Sequence, residues 1–120
     1  AFQPYFTASA SNVGYGYWSH DIGGHNQEGA YDAELYLRWI QYGVFSPILR
    51  THATAAGHIE RRIWKYANFE QMRDAIYLRY ALIPKIYTTA RWSHDTGVGM
   101  CRPMYYDYPE ADEAYGYEGQ

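Results

Sequence analysis

Four side chains have the types and spacing to do chemistry: His20, Asp21, Arg50 and His52. His20 and Asp21 stand before Ile22-Gly23-Gly24, and Arg50 and His52 close the apolar run Ser46 to Leu49. A carboxylate beside an imidazole can grip vicinal hydroxyls, because a sugar presents donors and acceptors at a spacing that two planar polar groups match. The alternative is that Asp21 and Arg50 pair with each other or cap local turns. His20, Asp21, His25, His52 and His58 are enough side chains for a nitrogen and oxygen coordination sphere. Their spacing matches no helical His-x-x-x-His pair and no compact ligand run, so no metal ligand is assigned. Trp92-Ser93-His94-Asp95 repeats Trp18-Ser19-His20-Asp21. Its flanks differ and it falls at an expected helix end, where His94 faces the negative pole of the dipole, so it is assigned no chemistry.

These residues need elements to position them. Ala8 to Gly16 reads as a loop feeding a short buried strand, Tyr15 to Trp18, and Gly23 and Gly24 permit the sharp turn beyond Asp21. Asp32 is a candidate N-cap, and Leu35, Trp39, Ile40 and Val44 recur at helical spacing, which predicts a helix over 33–44. Pro47 stops it, and Ser46 to Leu49 is of strand length. Arg50 and His52 then point to one side by the strand period of two. Residues 53–67 read as a loop with a charged cluster from Glu60 to Arg62, anchored by Trp64. Asn68 and Gln71 have the form of a capping box, opening a helix whose stripe is Met72, Ile76, Tyr80 and Ile83. Pro84 divides that helix, and Gly97 ends its second part. Pro103 demotes Met100 to Tyr106 to an edge or irregular strand. From Ala111 onward the chain is acidic and glycine-spaced, with no core pattern.

Two short strands joined by a helix make a β/α unit whose strands run parallel through a right-handed crossover. The carboxyl edge of such a sheet is where sites are built, and all four charged residues fall there. Two parallel strands cannot form a stable sheet alone, so other chain must complete it, or copies of this chain must associate through exposed apolar faces.

Composition narrows the function. Net charge is −3 and the basic residues form no stripe, which argues against a nucleic-acid partner. No apolar run reaches the roughly 20 residues that cross a bilayer, and the first residues carry no leader pattern. One cysteine, Cys101, excludes an internal disulfide. Fifteen tyrosines and four tryptophans supply flat faces with polar edges, suited to half-wet packing or to sugar stacking.

Three segments together resemble glycoside hydrolase family 31, the α-glucosidases and α-xylosidases. They are Trp18 to Gly24; Glu34 to His52, with Arg38-Trp39, Gln41, Gly43, Phe45, Pro47 and Arg50-x-His52 in order; and Leu78 to Pro109, with Leu82-Ile83-Pro84, Ile86-Tyr87, Arg102-Pro103 and Tyr108-Pro109. The resemblance implies an α/β fold, part of a (β/α)8 barrel covering about strands seven and eight with their helices, helix-rich as an isolated chain. Residues 1–120 would then be a C-terminal piece of a catalytic barrel, partnered by the rest of it. In that family one aspartate is the nucleophile and a second the acid/base, about 5 to 5.5 Å apart for retention. Both are expected upstream of Ala1, so the isolated chain is expected to be inactive and to need no cofactor. What transfers is substrate binding of an α-glucoside or α-xyloside: His52 and Asp21 on the sugar, Arg50 holding carboxylates in place, Trp18 and Phe45 shaping the pocket wall. His25 stands at the rim where many relatives carry an aromatic residue. Outside the resemblance, the rival readings are a small carbohydrate-binding module and a His/Asp metal-dependent hydrolase.

Overall fold

The computed structural model describes residues 2–26, 32–55 and 59–116. Its helices are α1 (Phe2–Ser9), α2 (Ala33–Gly43), α3 (Phe69–Ala81) and α4 (Ile83–Thr96), with short 3-10 turns at Ala10–Val13, Ile63–Lys65, Met104–Tyr106 and Asp112–Tyr115. The chain divides into two compact units, Ser19–Pro84 and the pair Ala1–Trp18 with Lys85–Gln120.

The Ser19–Pro84 unit is built on α2 and α3. Asp32 caps α2 as its sequence position predicts, its Oδ1 accepting the Leu35 N–H at 2.9 Å, a bond worth about 1 kcal/mol. The buried face of α2 is Tyr36, Leu37, Ile40 and Gly43, with Val44 just beyond. Leu35, expected on that face, is half exposed, because the apolar stripe lies one residue further along the helix. Ile22, Met72 and Ala75 complete the core, with Trp39, Leu49, Ile63, Tyr66, Ile76 and Leu82 packed around it. Gly43 is where α2 meets the segment below it: a Cβ there would collide with the Ile22 side chain.

Asn68 does not form the expected capping box. Its side chain makes no cap bond, and its Nδ2 donates instead to the Ala33 carbonyl at 2.8 Å, joining the starts of α2 and α3. The α3 stripe is covered only at its first half: Met72 is fully buried and Ile76 half-buried, whereas Tyr80 and Ile83 are exposed. Arg79 donates to the carbonyls of Val44 at 2.7 Å, Ser46 and Pro47 at 2.8 Å, satisfying the acceptors left open where α2 ends. Helix α3 stops before Pro84 as expected, the Leu82 N–H donating to Leu78 and Arg79 before α4 begins.

The expected strands are the main difference. Among the described residues the Ser19–Pro84 unit has one parallel bridge, Ile22 with Thr51, and no continuous strand. The pairing is parallel, as the sequence suggests, but this single rung falls at Ile22 and Thr51, beyond both expected strands, Tyr15 to Trp18 and Ser46 to Leu49.

In the other unit, Ala8 to Val13 is helical rather than a loop, and Gly14 to Gly16 is non-helical. Helix α1 runs into the 3-10 turn, and Gly14 at φ 81° ends it. Phe2 and Phe6 stack at 5.5 Å, and Phe6 meets Trp18 edge-on at 5.4 Å. Tyr15 and Tyr17, expected in a buried strand, are exposed. Gly97 at φ 75° terminates α4 as expected. Pro103, fixed in extended geometry, opens the 3-10 turn Met104–Tyr106, so that stretch is a local turn and not an edge strand. No described helix is long and apolar enough to cross a membrane.

Candidate functional site

The Ile22–Thr51 bridge brings the two chemistry-bearing segments side by side. The Ile22 N–H donates to the Arg50 carbonyl at 3.1 Å, and the Thr54 N–H donates to the His25 carbonyl at 3.1 Å. Asp21 therefore faces Arg50 directly. Its Oδ1 accepts from Arg50 Nη2 at 2.9 Å, while its Oδ2 lies 3.0 Å from His25 Nδ1. The His25 and His52 rings stack with centroids 5.2 Å apart. One carboxylate and two imidazoles thus share an accessible patch, with an oxygen of Asp21 and a ring nitrogen of each histidine all within 4.8 Å of one another. This is a donor set for hydroxyls, and by number and type also one that a metal ion could use.

His20 does not join them. It is buried at 5% exposure, where its Nδ1 accepts from Trp39 Nε1 at 2.8 Å and its Nε2 meets Ser46 Oγ at 3.1 Å. An indole N–H only donates, which fixes the neutral tautomer and makes Nε2 the donor to Ser46. Burial holds its pKa below the ordinary imidazole value, with the Asp21 charge pulling the other way. The ring also stacks on Tyr42 at 5.1 Å. His20 fastens the segment to α2 and leaves Asp21, its neighbour, to face outward.

The turn after Asp21 is held by a residue that sequence reading missed. Gly23 and Gly24 adopt φ of 95° and 90°, as expected of that pair. Arg61 closes over them: its Nη2 donates to the carbonyls of Gly23 at 2.6 Å and Gly24, and its Nη1 to that of Glu60 at 2.9 Å. The guanidinium lies over the Tyr36 ring at 5.4 Å, and Tyr36 returns its hydroxyl to the Arg61 carbonyl at 2.8 Å. A Cβ on Gly23 would fall 2.7 Å from Arg61 Nε and 2.9 Å from Tyr36 Cδ2, so glycine is required for fit as well as for φ. Burial pushes the Tyr36 hydroxyl up to about 12. Trp64, the expected anchor of this loop, is 63% exposed; Arg61, Tyr36 and Tyr66 do the anchoring. An arginine in a charged cluster gives no sign in sequence of which carbonyls it will meet.

Of the other predicted residues, Trp18 belongs to the Ala1–Trp18 unit, and Phe45 lines a cleft of about 410 Å³ between α2 and α3 with Gln41, Val44, Gln71, Ala75 and Leu78. Phe45 is 66% exposed and immediately precedes the Ser46–Leu49 run, which Arg50 and His52 follow. His58 lies outside the described residues.

Residues 1–89 match the family model described as the glycosyl hydrolases family 31 TIM-barrel domain. The chain is 35% identical over 107 residues to a 1,6-alpha-glucosyltransferase of Sporosarcina globispora, covering 84% of the chain and 8% of that protein. It is 33% identical over 109 residues to an alpha-xylosidase of Saccharolobus solfataricus, covering 87% and 14%. Among solved structures it superposes on a GH31 alpha-xylosidase from a soil metagenome, complexed with xylose, with a TM-score of 0.78 and 31% identity, over 88% of this chain and 19% of that one. The chain therefore spans about a tenth of the length of these curated relatives.

Proposed function

The chain belongs to glycosyl hydrolase family 31, and from that premise we propose that it is the strand-seven and strand-eight portion of a retaining α-glycosidase barrel, contributing substrate-binding residues. The observation that carries this reading is the convergence of Asp21, His25, Arg50 and His52 at the ends of two parallel-bridged segments. In a closed barrel that end of the strands is the catalytic face.

In this reading Asp21 and His52 accept and donate hydrogen bonds to ring hydroxyls of the sugar beside the scissile bond. Arg50 neutralises and aims the Asp21 carboxylate, so that its second oxygen is presented to the substrate. His25 stands at the rim and offers the leaving group a polar contact. Trp18 and Phe45 shape the wall of the sugar pocket in the complete barrel. No carboxylate here serves as nucleophile or acid/base; that pair comes from the rest of the barrel. The substrate is an α-linked glucoside or xyloside, and residues 1–120 alone are inactive.

The test is turnover of nitrophenyl α-glucoside and α-xyloside by the full-length protein, by its Asp21→Asn and His52→Ala variants, and by the 120-residue chain. Retaining hydrolysis that collapses in both variants and is absent from the short chain supports the reading. Full activity in both variants, or turnover by the short chain, refutes it.

A further inference from the structure

Resting on that sugar-subsite reading, we propose that Asp21, His25 and His52 also form a binding site for a borderline divalent metal of the zinc class, which closes the subsite by taking the donor atoms the sugar needs. The Asp21 Oδ2 to His25 Nδ1 separation of 3.0 Å is close to the spacing of two ligands on one tetrahedral ion with bonds of about 2.0 to 2.1 Å. The third donor, on His52, lies within 4.8 Å of both, so a small rotation of an accessible imidazole completes the set. The His25 and His52 rings already lie near-parallel, 27° apart, and can turn their nitrogens to a common point.

The surroundings fit a ligating carboxylate. Arg50 occupies Oδ1 and leaves Oδ2 to the ion, the kind of outer hydrogen bond that orients a metal-bound carboxylate. Its charge also opposes the cation and restrains affinity. Two backbone bonds, Ile22 N–H to Arg50 carbonyl and Thr54 N–H to His25 carbonyl, hold the two ligand-bearing segments together. Two imidazoles and one carboxylate select zinc, nickel, copper or cobalt over magnesium and calcium, and three protein ligands leave positions for solvent. His20 is excluded because both its ring nitrogens are engaged with Trp39 and Ser46. The signal is invisible to spacing rules, because His52 reaches His25 only through the fold.

Because the ion and the sugar use the same atoms, zinc raises the apparent KM of the full-length enzyme without lowering kcat. The test is cobalt titration of the full-length protein, read by the visible bands of four-coordinate cobalt, together with zinc inhibition of nitrophenyl glycoside turnover. Wild type is expected to bind one equivalent of cobalt. His25→Phe and His25→Gln are each expected to weaken cobalt binding, and zinc inhibition relative to the variant's own zinc-free rate, by about tenfold or more. No cobalt signal in the wild type, or signal and zinc inhibition undiminished in both variants, overturns the proposal. The two readings fail separately: unchanged zinc-free kcat/KM in Asp21→Asn and His52→Ala sinks the sugar subsite, whereas the cobalt spectrum decides the metal site.

Discussion

Trp18-Ser19-His20-Asp21 and Trp92-Ser93-His94-Asp95 are the same four residues in two settings. In the first copy His20 is buried against Trp39 and Ser46, and Asp21 is turned toward Arg50 and His25. In the second, His94 sits in the last turn of α4 with its side chain 78% exposed, and Asp95 pairs locally with Arg91 at 2.9 Å and with His94. The described polar partners of His94 and Asp95 lie on their own helix, while Trp92 carries the Arg102 guanidinium 4.7 Å from its ring centre. Those of His20 and Asp21 include residues brought from far along the chain. A short motif becomes a site when distant residues restrict what its side chains can do.

The comparison is broken most severely by removing the polar partners of a sugar at the first copy. Asp21→Asn in the full-length protein should lower kcat/KM by about 100-fold or more, from the loss of roughly 3 kcal/mol in hydrogen bonds to a charged group, with the melting temperature little changed. Asp95→Asn should leave both quantities where they were, since a local pair on an exposed helix is worth about 0.5 kcal/mol or less.

Arg61→Ala ranks next. It strips the donors from the Gly23 and Gly24 carbonyls, and should cost about 2 kcal/mol of stability by denaturant unfolding while lowering kcat/KM by roughly tenfold. Arg61→Lys, lacking the planar fork, should recover only part of either loss.

Gly43→Ala probes the packing that carries the first copy. The added methyl meets Ile22, next to Asp21, so unfolding should show a cost of about 1 to 3 kcal/mol. A neutral result would mean that α2 can move away from Ile22 freely.

The smallest effects are those of pH. The Tyr36 hydroxyl titrates near 12 in the folded chain against 10.0 ordinarily, so the unfolded chain loses its proton first. Its contribution is complete below pH 10 and is lost as pH rises from 10 to about 12. Glu60, held down to about 2 by the Arg62 guanidinium, acts in the opposite direction. Its contribution is present above 4.5 and disappears as pH falls toward 2. Tyr36→Phe should flatten the alkaline limb of a stability profile, and Glu60→Gln the acid limb.

The parts legible in sequence were those fixed by local chemistry. The Asp32 cap, the positive φ of Gly23 and Gly24, the break at Pro84 and the stop at Gly97 are all signalled by residues within one helical turn. The convergence of Asp21 with Arg50 and His52 could be anticipated because both segments end on the same edge of a β/α unit. What escaped depends on pairings at long range. Arg61 on the Gly23 and Gly24 carbonyls, Asn68 on Ala33 and Arg79 on the end of α2 each join a side chain to a distant backbone acceptor. At Tyr15–Trp18 and Met100–Tyr106 the aromatic content that suggests strands serves helix and turn packing instead.

The central claim is that Asp21 and His52 hold a sugar. Its most direct test is the crystal structure of the full-length protein with xylose or glucose bound. The account predicts ring hydroxyls within hydrogen-bonding reach of the Asp21 carboxylate and a His52 ring nitrogen, with Arg50 still on the other oxygen of Asp21. A sugar bound in the catalytic cavity with neither residue touching it would contradict the account.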